Sequence, residues 1–319
     1  MAEPLVDIGI PVFRRADYVA EAIESVLAQS YANWLLTVSE DAGPTDAVRG
    51  AVEPYLADRR VRYVSASRRL GLAGIKSSLA GPGGGKYVAL LDDDDVWLAD
   101  WLSRRVEFLE THDQCVLAWG GHLDIDPGGA ELARSAYPLS GGVHSSREFV
   151  QTMMQRNVVA TPSVLLRRDA YLRAGNEFDA RFVHLNDYEL WLRMGMLGPV
   201  GFLAVHDSAY RVHPGQMSRR HDRALDHLRL VDHLDRLLER ADLDLRVSPA
   251  DRRRQKADRC LSAALDAAEQ GRPGIAARRI LRAAVLYPPA VASRRGLGAV
   301  AAAVGGTTVS RRIGERRER

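Results

Sequence analysis

"GKYVALLDDDDVWLADW" (Gly85–Trp101) joins an apolar run to four consecutive aspartates. A short apolar run with glycines before it and acidic residues after it reads as a buried strand. Four adjacent carboxylates repel one another, and burying any of them is costly unless a cation pairs with it. The stretch therefore predicts a strand whose carboxyl end faces a positive partner.

Working toward the N-terminus, "LVDIGIPV" (Leu5–Val12) reads as a second buried strand. Val19, Ala22, Ile23, Val26 and Leu27 recur at helical spacing within Asp17–Gln29. "WLLTVSE" (Trp34–Glu40) is a strand that ends in the turn "DAGPTD", and a helix covers about Ala47–Leu56. "VRYVSA" is a strand, "LAGIKSSLA" a short helix and "GPGGG" a flexible turn before "KYVALL". Strands alternating with helices predict an α/β fold, a mostly parallel sheet covered on both faces. Ligands of such sheets sit beyond the carboxyl ends of the strands. Topology alone thus makes neighbours of the segment after Val12, "EDAGPTD" and "DDDD".

Toward the C-terminus the pattern mixes strands ("CVLAWGGHLDI", "TPSVLLRRD", "GFLAVHDSAYRVH") with helices ("SREFVQTMMQ", "DYELWLRMGML") and a hairpin-like turn, "DPGGAEL". From about Arg219 the strand signal stops. Leu225, Leu228, Val231, Leu234 and Leu238 form one helical face, and helices are predicted near Ala250–Gln270 and Ile275–Leu286. This end is expected to be a helical appendage.

The 319 residues suffice for a full core, and 46% hydrophobic with 27% charged residues is ordinary for a soluble globular chain. The net charge of +3 matches the local charge of the last ten residues, "SRRIGERRER". No broad basic face for nucleic acid is implied. That tail reads as a solvated end, with peripheral contact to an anionic membrane as the sharper reading. Cys115 and Cys260 suggest neither a disulfide framework nor a zinc site. "MAEPLVDIGIPVF" lacks the pattern of a signal peptide, and "GLGAVAAAVGG" is too short to span a bilayer. The expectation is a cytoplasmic chain, at most peripheral at the inner face of a membrane.

Several motifs occur in a recognisable order: "IPVFRRADYVAEAIESVLAQSY", "SEDAGPTD", "LGLAGIKSSLA", "GKYVALLDDDDVW", "FDARFVHLNDYELWLRM" and "YRVHPGQMS". In that order they resemble the inverting GT-A glycosyltransferases of family 2, which use nucleotide-diphosphate sugars. The resemblance runs from Val6 to Ser218. It implies a GT-A, Rossmann-like fold over residues 1–218, with a nucleotide-binding half (1–95) and an acceptor-binding half (96–218). Residues 219–319 would be a helical region with a basic tail.

The resemblance also implies roles. Breaking a bond to a diphosphate leaves negative charge, which Mg²⁺ or Mn²⁺ held by carboxylates stabilises. The family's Asp-x-Asp maps onto Asp92 and Asp94. Asp94 would ligate the metal, Asp92 would contact the ribose or a metal-bound water, and Asp93 is grouped with the nucleotide contacts. Asp95 is expected to open the next helix. His213 matches a histidine that completes the metal or diphosphate site, and Arg211 is a further phosphate candidate. Pro11, Val12, Phe13 and Arg14 match the segment lining the base, with Phe13-Arg14 where the family usually has Tyr-Asn. Asp41 matches the base-reading carboxylate, a turn-forming Asp being its other reading. Arg69 and Lys76 fall at nucleotide-contacting positions, although Lys76 also reads as an exposed lysine. Asp187 matches the general base of a Glu-Asp pair whose Glu is here Asn186; its other reading is an N-cap.

Trp97, Trp101 and Trp191 read as core, with sugar stacking as a second reading for Trp97. Met153, Met154, Met194 and Met196 read as packing. His227 and His233 lie on a solvated face. The expected partners are a UDP- or dTDP-sugar donor and a glycan, lipid-linked or small-molecule acceptor, with a homodimer through the C-terminal helices as a further option. A nucleotide- or partner-binding GT-A domain without catalysis is the alternative function. A phosphatase of the haloacid-dehalogenase type would want Asp-x-Asp-x-Thr, which "DDDDVW" does not supply.

Overall fold

The computed structural model describes residues 3–155, 157–217, 226, 229, 230, 233, 236, 237 and 249–305. The leucine face around Leu228, His227 and the arginine-rich tail lie outside the described residues. The chain divides into two units, residues 1–180 with 186–214, and residues 181–185 with 215–319.

The first unit is built on a ten-stranded mixed sheet. Its elements in chain order are β1 (Val6–Val12), α1 (Val19–Leu27), β2 (Trp34–Glu40), α2 (Asp46–Val52), β3 (Val61–Ser65), α3 (Gly71–Ala80), β4 (Tyr87–Leu90), β5 (Val96–Trp97) and α4 (Trp101–Thr111). There follow β6 (Leu117–Ile125), β7 (Glu131–Arg134), β8 (Gly142–His144), α5 (Ser146–Gln155), β9 (Val164–Arg167), α6 (Arg168–Arg173), α7 (Asn186–Gly195) and β10 (Val200–Arg211).

The sheet order is β3-β2-β1-β4-β9-β6-β10-β5, with β7 paired to β6 and β8 to β10. The first four strands of that order are parallel, as the alternation of strands and helices predicts. β9 then enters antiparallel between β4 and β6. Sequence alternation does not reveal this, because β9 is buried on both faces and reads like its parallel neighbours. α1 packs Val19, Ala22, Ile23 and Val26 against the sheet, each fully buried. Burying a side chain such as Ile23 contributes roughly 1.5–3 kcal/mol.

Two features place the carboxyl end of β4. The turn "GPGGG", expected to be flexible, is pinned: Asp7 of β1 accepts from the Gly85 amide at 2.8 Å and from Arg168 Nη2 at 2.5 Å. A Cβ on Gly85 would stand 2.9 Å from the backbone nitrogen of Asp7, so glycine is required there. Beyond β5, Arg105 of α4 and Asp207 of β10 form a fully buried bidentate pair at 2.9 and 2.8 Å. It ties α4 to the strand that leads to Arg211 and His213.

The second unit contains α8 (Pro249–Glu269), α9 (Pro273–Leu286), the short α10 (Pro288–Val291) and α11 (Arg294–Gly305). Their shared core is dominated by alanine, with Ala257, Ala264, Ala276, Ala283 and Ala299 buried. α10 and α11 are additions to the helices expected from periodicity.

Candidate active site

β1, β2 and β4 are parallel neighbours, so their carboxyl ends open on one edge, and the predicted acidic segments meet there. The aspartates after β4 lie in a tight turn closed by the Asp95 amide on the Asp92 carbonyl at 3.1 Å. They are not a solvated run: Asp93 and Asp95 are buried, and Asp92 and Asp94 are half-buried. Asp95 does not open a helix. It precedes β5, and its Oδ1 accepts from the Arg211 amide at 2.9 Å. The turn is followed by a strand that pairs with β10, which displaces the helix start to Trp101.

Three cations stand at this corner, and two of them, Arg15 and Lys76, pair with its aspartates. Arg15 donates to Asp93 Oδ1 and, at 2.7 Å, to Asp94 Oδ2. Its Nη1 lies 3.2 Å from His213 Nε2, which is itself 2.9 Å from Asp94 Oδ2. Lys76 is buried and its Nζ stands 2.9 Å from Asp92 Oδ1, which removes the reading of an exposed surface lysine. Burial pulls the Lys76 ammonium down, but the charges of Asp92 and Asp187 outweigh it and leave the pKa raised. Arg211, 1% exposed, donates to the Asp94 and Pro127 carbonyls at 2.9 Å and to Glu21 Oε2 at 2.6 Å. It also lies over the Tyr18 ring, so it frames the turn rather than facing a ligand.

These cations do not fully compensate burial. Desolvation, reinforced by the charge of Asp94, pushes Asp93 up to about 7 despite its Arg15 partner. Asp92 and Asp95 are raised for the same first reason. Such a corner favours a further positive charge. Carboxylate oxygens with one imidazole suit a hard divalent ion. Asp94 Oδ2 and His213 Nε2 converge on one locus, and a guanidinium already stands there.

Asp187 sits at the start of α7. Its Oδ2 accepts from Thr161 Oγ1 at 3.0 Å and its Oδ1 from the Tyr188 amide at 2.7 Å. Asp187 lies near enough to Lys76 and Asp92 for its charge to raise the pKa of both. Thr161 belongs to a 3-10 turn whose Pro162 carbonyl accepts from Trp97 Nε1 at 2.7 Å. Trp97 is 2% exposed and stacked on Trp101 at 3.9 Å, which leaves no face for a sugar.

Asp41 follows β2 and is 3% exposed. Its two oxygens accept from the Leu70 and Gly71 amides at 2.6 and 2.9 Å, holding the start of α3. Pro11 and Val12 are buried on β1, whereas Phe13 is 44% exposed. The guanidinium groups of Arg69 and Arg14 lie 4.9 and 5.6 Å from the Phe13 ring centroid. Arg14 adopts a left-handed φ of 54°, uncommon for a side chain of its size. Arg15 and Thr161 are the residues that sequence reasoning missed. Arg15 lies inside the quoted motif "IPVFRRADYV", but nothing local says that it reaches a turn 78 residues away.

The sequence profile described as "Glycosyl transferase family 2" matches residues 7–171, just over half of the chain. The chain belongs to glycosyl transferase family 2. Among relatives, a Haemophilus influenzae protein described as an uncharacterized glycosyltransferase is 25% identical over 67% of this chain and 68% of its own length. The Escherichia coli UDP-Glc:alpha-D-GlcNAc-diphosphoundecaprenol beta-1,3-glucosyltransferase WfgD is 26% identical over 60% of this chain and 70% of its own. Solved structures share the GT-A fold. S. aureus TarS in complex with UDP-GlcNAc is 15% identical with a TM-score of 0.67, covering 98% of this chain and 92% of that one. The mannosyltransferase PcManGT of Pyrobaculum calidifontis, in complex with GDP-Man and Mn²⁺, is 17% identical with a TM-score of 0.55, covering 96% and 88%.

Proposed function

We propose that this family 2 chain is a metal-dependent inverting glycosyltransferase that moves a sugar from a UDP- or dTDP-sugar to an acceptor hydroxyl. The observation that carries this reading is the meeting of Asp92, Asp94, His213, Lys76 and Asp187 at one sheet edge. Asp94 and His213 would hold Mg²⁺ or Mn²⁺, with Asp93 beside them. When bound, the ion stabilises the charge that develops on the leaving diphosphate.

The chain's own residues do the rest. Asp92 is held by Lys76 in position to receive the ribose. Phe13, exposed and near the Arg14 and Arg69 guanidinium groups, would line the base together with Pro11 and Val12, with Asp41 holding the start of α3 beside them. Arg14 and Arg69 add positive charge there. Asp187, oriented by Thr161, accepts the proton of the acceptor hydroxyl as that oxygen attacks the anomeric carbon. Attack opposite the leaving group inverts the anomeric centre.

Relatives such as WfgD act on a diphosphoundecaprenol-linked sugar, which supports a lipid-linked acceptor for this chain. A thermal-shift panel of UDP, dTDP and GDP with and without Mn²⁺, followed by donor hydrolysis, tests the reading. The expected result is stabilisation by UDP or dTDP only with the ion. In Asp187→Asn, donor binding should persist while transfer falls by roughly 10²–10⁴-fold. Near-normal transfer in that variant would move the base elsewhere.

A further inference from the structure

The second unit presents a surface that carries none of the residues assigned above to glycosyl transfer. α9 turns Ala276 and Ala283 into the core, and α11 turns Ala299 and Ala302 inward. On the opposite faces Leu281 is 66% exposed, Val285 78%, Leu297 60% and Val304 85%. Each pair lies one or two helical turns apart and so forms a row. Four large aliphatic side chains facing outward on adjacent helices are more than scattered surface residues.

The charge around them is of one sign. From Gln270 to Gly305 the chain has Arg272, Arg278, Arg279, Arg282, Arg294 and Arg295 and not a single Asp or Glu. Arg279 turns inward to the Ala263 carbonyl. Arg278, Arg282, Arg294 and Arg295 are exposed, and among the described residues none of them pairs with a carboxylate.

We propose that the outward faces of α9 and α11 dock on an anionic phospholipid surface. The Leu and Val rows would enter the acyl boundary while the arginines meet the headgroups. Charge complementarity selects this occupant. A second copy would bring arginines against arginines. A nucleic acid would satisfy the arginines but leave the aliphatic rows unmatched, and Tyr287 is the one aromatic in the stretch available for base stacking. No helix of the described residues is long and apolar enough to cross a membrane, so the contact lies at the surface.

The test is flotation of the full chain with phosphatidylcholine vesicles, with and without phosphatidylglycerol. Binding to the anionic vesicles alone is expected, with a loss of roughly fivefold for each arginine changed in Arg278→Gln and Arg282→Gln. Leu281→Asp/Val285→Asp should lose binding by about tenfold or more, with an unchanged circular dichroism spectrum. All variants keep the basic tail, so a difference reports the helices. Equal binding by every variant, no binding to anionic vesicles, a dimer abolished by Leu281→Asp, or retention on RNA in place of vesicles would each overturn the proposal. Flotation needs no donor sugar, so its outcome is independent of the proposed transfer reaction.

Discussion

Arg15 contacts Asp93, Asp94 and His213 at once, and two of those are the proposed metal ligands. A guanidinium and a divalent ion cannot both occupy the space between Asp94 Oδ2 and His213 Nε2. Entry of the ion therefore carries the cost of breaking charge-assisted hydrogen bonds. Arg15→Gln should bind Mn²⁺ roughly tenfold more tightly in the absence of nucleotide, as read by electron paramagnetic resonance of the free ion. An unchanged affinity would show that the two cations use different places. At this scale Asp92, Asp94, Asp187 and His213 could be proposed from the sequence because each falls within a motif of the family resemblance. Arg15 and Thr161 were not, since their roles exist only through partners distant in the chain.

Among elements, the pair between Arg105 and Asp207 fixes where β10 delivers its last residues. Both side chains are fully buried, and burial lowers the Arg105 pKa against the pull of Asp207. Removing one partner leaves an uncompensated charge. Asp207→Ala should cost about 3–5 kcal/mol in urea unfolding. A loss near zero would show that water reaches the guanidinium. The strands and helices before Leu91 could be read from their patterns, because β1, β2 and β4 are largely apolar runs and α1 carries a single apolar stripe. The direction of β9 could not, for an apolar run of three residues has the same pattern in either orientation. The two-residue β5 was hidden for a related reason: its pairing with β10 gives it an extended form that its own length cannot specify.

For the whole molecule, the acidic corner sets a pH dependence. Burial raises Asp93 to about 7 and also raises Asp92 and Asp95. Between the ordinary carboxylate range and about 7, the folded chain keeps a proton that the unfolded chain has shed. Stability must then fall as pH rises through that window. The ion-free protein is expected to melt lower at about pH 8 than at about pH 6, and saturating Mn²⁺ should narrow the difference because ionised carboxylates then gain a partner. Calorimetry in two buffers of different ionisation enthalpy should also find protons released on Mn²⁺ uptake. A melting temperature independent of pH would show the aspartates already ionised.

The antiparallel insertion of β9 reaches further than topology. It pairs on one side with β4, whose end bears the aspartate turn, and on the other with β6, the neighbour of β10. One continuous sheet therefore links the strand that ends at the aspartate turn to the strand that leads to Arg211 and His213. A hinge between them would have to tear main-chain hydrogen bonds from the middle of the sheet. Any closure over the proposed donor site would then fall to the connecting loops, above a sheet that stays rigid.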